Sequence, residues 1–474
     1  MARGLRARLA ELEAATRPVH PETEAALARR WAELPAHVKT PNQALGRRTA
    51  GCEGTHGVFP RCNLACTPCY HSRDANRVRA DGGHTVAEVD RQMAFLRSQR
   101  GMGQYAQLIG GEVTLLSPAD HAAALEAMRR HGRKPMSMSH GDFDYDYLVA
   151  LAIRPDGTRR FDQLSFAGHF DSMMFGRRGY RRVRDEAQLT PARARFCAMF
   201  DRLEREHGVR SYLAHNMTVT PRNVGQVAQV IRDCRNLGFR MFSFQPAAFV
   251  GNENRWKDDY AELTGDRVWA QIEAGAGGHL AWHAFQIGDE RCNRTAHGAY
   301  AGERYVQLLD DRDPRDLAVR DAFFATFGGM DFEHPPALLA AKLARAFGAN
   351  PGALRLAAQW AARFVARCGG PTAVARHRVR PITFVMHSFM DARDVRPAWE
   401  QLQRGERSGD PAIRAAQERL QACSYAMAHP ESGELVPACV QHSVLDPQEN
   451  LALARLLPLA AGAERPVRAA EATA

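Results

Sequence analysis

Three cysteines lie within eight residues of this 474-residue chain, in Pro60-Arg61-Cys62-Asn63-Leu64-Ala65-Cys66-Thr67-Pro68-Cys69-Tyr70. Thiolates at this CxxxCxxC spacing on one loop can grip three corners of a cubic iron-sulfur cluster and leave the fourth iron open. A zinc site completed by Cys52 or His71 competes, although zinc spacings usually come as CxxC pairs; coincidence in a loop is the third reading. Forty-one residues beyond Cys69, at the end of an apolar run, the chain reads Leu108-Ile109-Gly110-Gly111-Glu112-Val113. Paired glycines allow the backbone to approach a ligand closely, and the Glu112 carboxylate can pair with an ammonium group.

Together these two segments resemble the cluster loop and the GGEP motif of radical S-adenosylmethionine (radical SAM) enzymes. The resemblance spans about 52–251 and implies an α/β fold, a partial (β/α)6 radical SAM barrel, with a 4Fe-4S cluster on Cys62, Cys66 and Cys69 at the C-terminal mouth. It implies SAM bound to the open iron through its amino and carboxylate groups. An electron from a donor such as a ferredoxin or flavodoxin then breaks the C5'–S bond, and the 5'-deoxyadenosyl radical takes hydrogen from an unactivated carbon. Gly110, Gly111 and Glu112 are the implied cofactor contacts, with Asn216 and Gln245 as further candidates; no catalytic residue is assigned. Two positions depart from the family pattern: Pro68 stands where an aromatic residue usually precedes the third cysteine, and Val113 replaces the motif proline.

Other polar groups follow apolar runs. In Ser139-His140-Gly141-Asp142-Phe143-Asp144-Tyr145 two carboxylates could bind the SAM ribose or a substrate amine, or simply cap a solvated turn. His169 and Asp171, two apart, share a face of a strand and could both point into a barrel; a core histidine held by its neighbour is the alternative. Asn216 and Thr218 share a face in the same way.

Cys423 and Cys439 flank a strand-turn-strand with Ser432-Gly433 at the turn, and a hairpin brings its two ends together. With Cys292 in a polar loop and Cys368 at a helix end, they could hold an auxiliary iron-sulfur cluster; scattered buried thiols are the alternative. The hairpin resembles, imperfectly, the cysteine module of peptide-modifying radical SAM enzymes. The His169-Asp171 strand, Phe244-Gln245-Pro246 and the loop cysteine resemble more closely members that act on saturated lipid chains, including the tetraether-forming type. Cys197 and Cys234 fall on apolar helical stripes and are expected in the core.

The elements that must position these groups alternate. Strands are expected at 105–110, 135–140, 163–169, 211–219 and 239–245, the βαβ pattern of a parallel sheet. Between them, helix starts are expected from a Thr85/Glu88 capping box and from Ser117-Pro118, Thr190-Pro191 and Thr220-Pro221. After 251, long Ala/Leu/Arg helices at 336–347 and 354–368 suggest a separate region. The expected division is an N-terminal helical extension (1–50), a barrel core (51–251), a helical region (252–379), a mixed, cysteine-bearing region (380–459) and a disordered tail (460–474).

At 45% hydrophobic and 24% charged residues, the composition is that of a globular protein and excludes a largely disordered or disulfide-stapled chain. The net charge of +10 raises nucleic acid as a partner, but only four of the 63 basic residues are Lys, so the excess is an Arg bias and nucleic acid is not expected. No apolar run reaches the roughly 18 residues of a membrane span, and no signal peptide opens the chain, so a cytoplasmic location is expected. The sequence reading is therefore a radical SAM enzyme acting on a lipid-like substrate. Modification of a peptide or small metabolite is the alternative, and a non-catalytic iron-sulfur or zinc protein is the alternative of another class, which would have no need of Glu112.

Overall fold

Short apolar runs alternating with capped helices fold, in the computed structural model, into one curled sheet. The structure describes residues 2–67, 69, 73–180, 182–248 and 263–459, without the side chains of 2–7 and 9. Pro68, Tyr70, His71, Gly251 and the tail at 460–474 lie outside the described residues.

The strands are β1 (Cys52–Gly54), β2 (Ala65–Cys66), β3 (Gln104–Leu108), β4 (Arg133–Ser139), β5 (Gln163–His169), β6 (Met174–Phe175), β7 (Arg210–Val219), β8 (Met241–Pro246), β9 (Asn293–Ala301), β10 (Arg304–Gln307), β11 (Arg380–His387), β12 (Tyr425–His429) and β13 (Glu434–Pro437). Eleven of them form a single sheet in the order β10-β9-β11-β8-β7-β5-β4-β3-β1-β12-β13, while β2 and β6 pair separately. β1, β3, β4, β5, β7 and β8 are parallel neighbours, the six strands of a partial β/α barrel. The sheet continues beyond six, with β11 parallel to β8 on one side and β12 parallel to β1 on the other. Antiparallel strands then close each side, β9 and β10 beyond β11 and β13 beyond β12.

The expected strands agree with β3, β4, β5, β7 and β8 to within about two residues, the usual uncertainty of element ends. The stretch 252–379, read as helical, does carry helices at Gly265–Ala276, Pro314–Phe327, Pro336–Ala349 and Pro351–Arg367, but between the first two lie β9 and β10, which join the sheet. Likewise β11 and β12 of the mixed region extend that same sheet, so these segments share the barrel's framework.

Helix starts show what local signals miss. Ser117 caps the helix Pro118–Arg130 as expected, accepting from Asp120 N. The helix Gly82–Arg100 is instead capped by Asp81, because the Thr85 hydroxyl donates to Val58 O and Asp81 O. At Thr190 the helix is already preceded by a 3-10 turn capped by Asp185, and after Pro221 the chain makes a turn held by Asn223 before its helix starts at Val227.

The core fills the space between the sheet and the helices, with Phe166, Phe196, Phe200, Phe242 and Phe384 fully buried. Cys197 and Cys234 lie in it. A bidentate pair, Arg133 Nε to Glu53 Oε2 at 2.9 Å and Nη2 to Oε1 at 3.1 Å, is sealed from solvent and ties β1 to the start of β4. No described helix is long and apolar enough to cross a membrane.

Candidate active site at the strand ends

The residues singled out around the cysteine loop gather where β3, β4, β5, β7 and β8 end. Gly110 and Gly111 make this possible by a close approach between two backbone segments. A Cβ at Gly110 would sit 2.6 Å from the Phe59 ring, and one at Gly111 would sit 2.0 Å from Arg61 O. Gly111 N donates to Phe59 O (2.7 Å) and Glu112 N to Arg61 O (2.8 Å), so the glycines clamp the segment that enters the cysteine loop.

Glu112 is buried, and its carboxylate is already well used. Oε1 accepts from Thr114 N (3.1 Å), Thr114 Oγ1 (2.6 Å) and Ser139 Oγ (2.8 Å), while Oε2 accepts from His140 N (2.8 Å). The spare acceptor capacity for an ammonium therefore lies on Oε2. Burial lowers the His140 pKa against the pull of Glu112, and its Nδ1 accepts from Asp142 N (3.0 Å), which leaves Nε2 to donate to Asn63 Oδ1 (2.9 Å). A continuous chain thus runs from Glu112 through His140 to a residue between Cys62 and Cys66.

Within the loop, Cys62 N donates to Asn76 Oδ1 at 3.2 Å, and Leu64 N to Cys62 Sγ at 3.4 Å. Burial, with Glu112 nearby, pushes the Cys62 thiol up to about 12, so a bound cation is what would make it a thiolate. Among the described residues no group of three His, Cys, Asp or Glu side chains is placed to hold a single metal ion. β2 carries Cys66 against Met174 of β6.

Just beyond β6, Arg177 is buried. Its Nη2 donates to His169 O (3.0 Å) and its guanidinium stacks on Phe170, 4.8 Å from the ring centre. Nε and Nη1 have no hydrogen-bond partner among the described residues. Burial lowers its pKa while Asp142, Asp171, Cys66 and Glu112 raise it, which puts the cation within electrostatic reach of both the cysteine loop and Glu112. Arg178, one residue on, is exposed and binds Asp142 and Asp144. Those two carboxylates are therefore engaged with arginine.

His169 and Asp171 do share the strand end: Nε2 lies 2.7 Å from Asp171 Oδ2, with the imidazole one-third exposed (33%) and the carboxylate buried (2%). Burial would raise the Asp171 pKa, but the His169 bond and the amides of Thr218 and Met173 outweigh it and hold the carboxyl below its ordinary value. Thr218 Oγ1 is 3.2 Å from His169 Nε2. Asn216, also buried, pairs in register with His169 on β5 and Ser243 on β8. Gln245, opposite Thr218, donates to Ser243 Oγ (2.7 Å), and its Oε1 is buried without a partner among the described residues.

A small pocket opens beside Gly110, lined in part by Thr55, His56, Ile109, His442 and Asp446. His442 comes from a π-turn at Gln441–Leu445, a distortion frequent at functional sites, and Asp446 opens the helix Asp446–Leu456 that follows it. His442 Nδ1 lies 2.8 Å from Asp446 Oδ2. Sequence reasoning missed this pair and Arg177. Gly176-Arg177-Arg178-Gly179 held a signal for the arginine, but which of the two is buried depends on the β2–β6 pairing.

The outlying cysteines divide. Cys368 ends the helix Pro351–Arg367 in a small apolar cluster with Ala301 and Val306, and the charged groups acting on it are Arg304 and Arg367. Cys292, Cys423 and Cys439 lie together elsewhere, joined by Cys52. Cys368 does not belong to that group.

No protein-family model and no curated protein matches the chain. Among solved structures it is similar to anSMEcpe with bound AdoMet, at TM-score 0.32 and 14% identity, over 47% of this chain and 57% of that one. It is similar also to native anSMEcpe with bound AdoMet and Cp18Cys peptide, at TM-score 0.31 and 13% identity, over 48% of this chain and 58% of that one. The chain thus spans less than two thirds of the length of these structures.

Proposed function

We propose that the chain is a radical SAM enzyme: it reductively cleaves S-adenosylmethionine and draws hydrogen from an unactivated carbon. The observation that carries this reading is a pair of buried, unsatisfied polar groups at the strand ends beside the cysteine loop, Arg177 Nε/Nη1 and Gln245 Oε1. Burying a cation with free N–H groups costs free energy unless an anion meets them. A ligand with a carboxylate for Arg177 and donor groups for Gln245 satisfies both, and SAM offers a carboxylate, an ammonium, hydroxyls and an exocyclic amine.

Cys62, Cys66 and Cys69 would hold a 4Fe-4S cluster, which when bound supplies the electron for cleavage, drawn from a ferredoxin or flavodoxin. The chain's own residues do the rest. Glu112 Oε2 takes the ammonium, while its other bonds fix Ser139 and His140, and through His140 Nε2 and Asn63 the shape of the loop. Arg177 takes the carboxylate, and Asn216 and Gln245 face the remaining polar edge. The His169–Asp171 pair stands ready to hold or pass a proton at Nε2. Ile109, Met138, Met427 and Phe389 form an apolar cluster next to Gly110, which supports a saturated, lipid-like reacting group. The resemblance of the β5 and β8 strand ends to lipid-acting members favours the same substrate class; peptide modification is the alternative.

Anaerobic reconstitution followed by SAM and dithionite should yield 5'-deoxyadenosine from the native chain and none from the variant Cys62→Ala/Cys66→Ala/Cys69→Ala. The same yield from that variant would overturn the reading. Mass spectrometry of lipid and peptide fractions after incubation with cell extract identifies the substrate class.

A further inference from the structure

Four cysteines from distant parts of the chain meet at one place. Cys52 opens β1 opposite Tyr425, and its N–H donates to Ser424 O at 2.7 Å, which puts it beside Cys423. The β12–β13 hairpin pairs Ala426 with Pro437, so Cys423 and Cys439 extend its two legs from the same end. The loop bearing Cys292 packs on this end: a Cβ at Gly288 would sit 2.6 Å from Ala422 O and 3.4 Å from Ser424 N. Cys292 Sγ accepts from Arg419 Nε at 3.0 Å, and Cys292 O accepts from Ser388 N at 2.8 Å. Arg419 acts electrostatically on both Cys292 and Cys439. Burial pushes the thiols of Cys52 and Cys292 up to about 11 and that of Cys439 to about 12, and Cys423 adds to all three shifts.

Two cations stand beside these thiols, each near a carboxylate that is itself bound to another arginine: Glu53, paired with Arg133, near Arg100, and Asp289, paired with Arg291, near Arg419. Arg100 is buried and donates to Cys52 O (2.8 Å); Arg419 donates to Cys292 Sγ and Ser388 O (2.9 Å). Neither makes an ion pair among the described residues, although buried charges are ordinarily paired. Four cysteinates around a cubic cluster whose core carries two positive charges leave two negative ones, opposite in sign to the arginines Arg30, Arg100 and Arg419 that bind the backbone or sulfur of these cysteines.

We propose that Cys52, Cys292, Cys423 and Cys439 ligate a second 4Fe-4S cluster, seated where the start of β12 meets the end of β11. The proposal stands independently of the proposed function, since the ligands are separate from Cys62, Cys66 and Cys69. A single zinc ion would need its sulfurs at about 2.3 Å from one centre, and no three of these side chains close on one ion as placed; a cluster accepts ligands spread more widely. With all four irons held by protein, this site has no open corner and therefore does not bind SAM. Cys368 takes no part.

The test uses the full chain reconstituted with iron and sulfide. The native protein should hold about eight irons, and the variant Cys62→Ala/Cys66→Ala/Cys69→Ala about four, with an electron paramagnetic resonance signal that SAM does not alter. In that background Cys52→Ala and Cys423→Ala should remove the remaining iron, while Cys368→Ala leaves it. A folded triple variant without iron, or with zinc in its place, overturns the proposal, as does iron that survives Cys52→Ala and is lost in Cys368→Ala. If an added substitution unfolds the chain, the native count decides: four irons would overturn it. Loss of 5'-deoxyadenosine in the native protein would instead count against the proposed function alone.

Discussion

The loop of Cys62, Cys66 and Cys69 and the seam of Cys52, Cys292, Cys423 and Cys439 bring cysteines together by opposite routes. The loop does it along eight residues, so its ligands are close even before folding and its spacing is visible in the chain. The seam does it across four segments, from β1, the loop before β9 and both legs of the β12–β13 hairpin, so it exists only once the sheet has curled. Loop closure over hundreds of residues carries an entropy cost that the sheet meets in forming. The two also differ in what surrounds them. At the loop Arg177 and Gln245 carry unsatisfied polar atoms; at the seam Arg30, Arg100 and Arg419 already donate to the backbone or sulfur of the cysteines.

That contrast can be broken at β1. Glu53 follows Cys52 directly, and its buried pair with Arg133 fixes the strand on which the seam depends. Glu53→Ala leaves a buried guanidinium uncompensated and should cost about 3–5 kcal/mol of stability, read as a lower denaturant midpoint. The seam's iron should fall with it, while the same substitution made together with Arg133→Met should recover part of both. Loss of loop iron with the seam's retained would show that β1 does not anchor the second site.

A smaller effect sharpens the loop's side of the comparison. Glu112→Gln places an amide N–H₂ among donors that now point at oxygen, and weakens the charge offered to an ammonium. SAM affinity should fall by at least tenfold, about 1.5–3 kcal/mol, measured by titration of the reconstituted protein, with iron content nearly unchanged. Unaltered affinity would mean that Glu112 serves the Ser139–His140–Asn63 chain only.

These cases show where the sequence was legible. Strands β3, β4, β5, β7 and β8 could be read because each is a bounded apolar run followed by a helix. β9 to β11 could not, and β12, legible as one leg of a hairpin, had no legible place in the sheet, because these positions are set by pairing with strands far away in the chain. The cysteine loop and Glu112 were visible through spacing. The sequence offers Cys368 as a fourth ligand for its place at a helix end before Gly369-Gly370, yet it packs on Ala301 and Val306, whereas nothing local to Gly51-Cys52-Glu53 ties Cys52 to the hairpin cysteines. The same holds for Arg177, whose burial depends on the two-residue pairing of β2 with β6.

The smallest expected effect concerns Asp171, which belongs to the loop's side of the molecule but contributes to the fold as well. Its carboxylate meets His169 Nε2 at 2.7 Å and accepts from the amides of Met173 (2.9 Å) and Thr218 (3.2 Å), linking the ends of β5 and β7. Burial opposes the charge, but these donors outweigh it, so the folded pKa is lower than the unfolded one. A depressed carboxyl contributes stability above the unfolded value of about 3.9 and loses it as pH falls through the folded value. Asp171→Asn should therefore cost about 1 kcal/mol at pH 7, and the gap to the native chain should narrow only below about pH 4. Urea unfolding followed by circular dichroism across that range checks it. A gap that widens on acidification would mean that the folded state raises the Asp171 pKa, and the His169 pair would then be a site where a proton is held on the carboxyl.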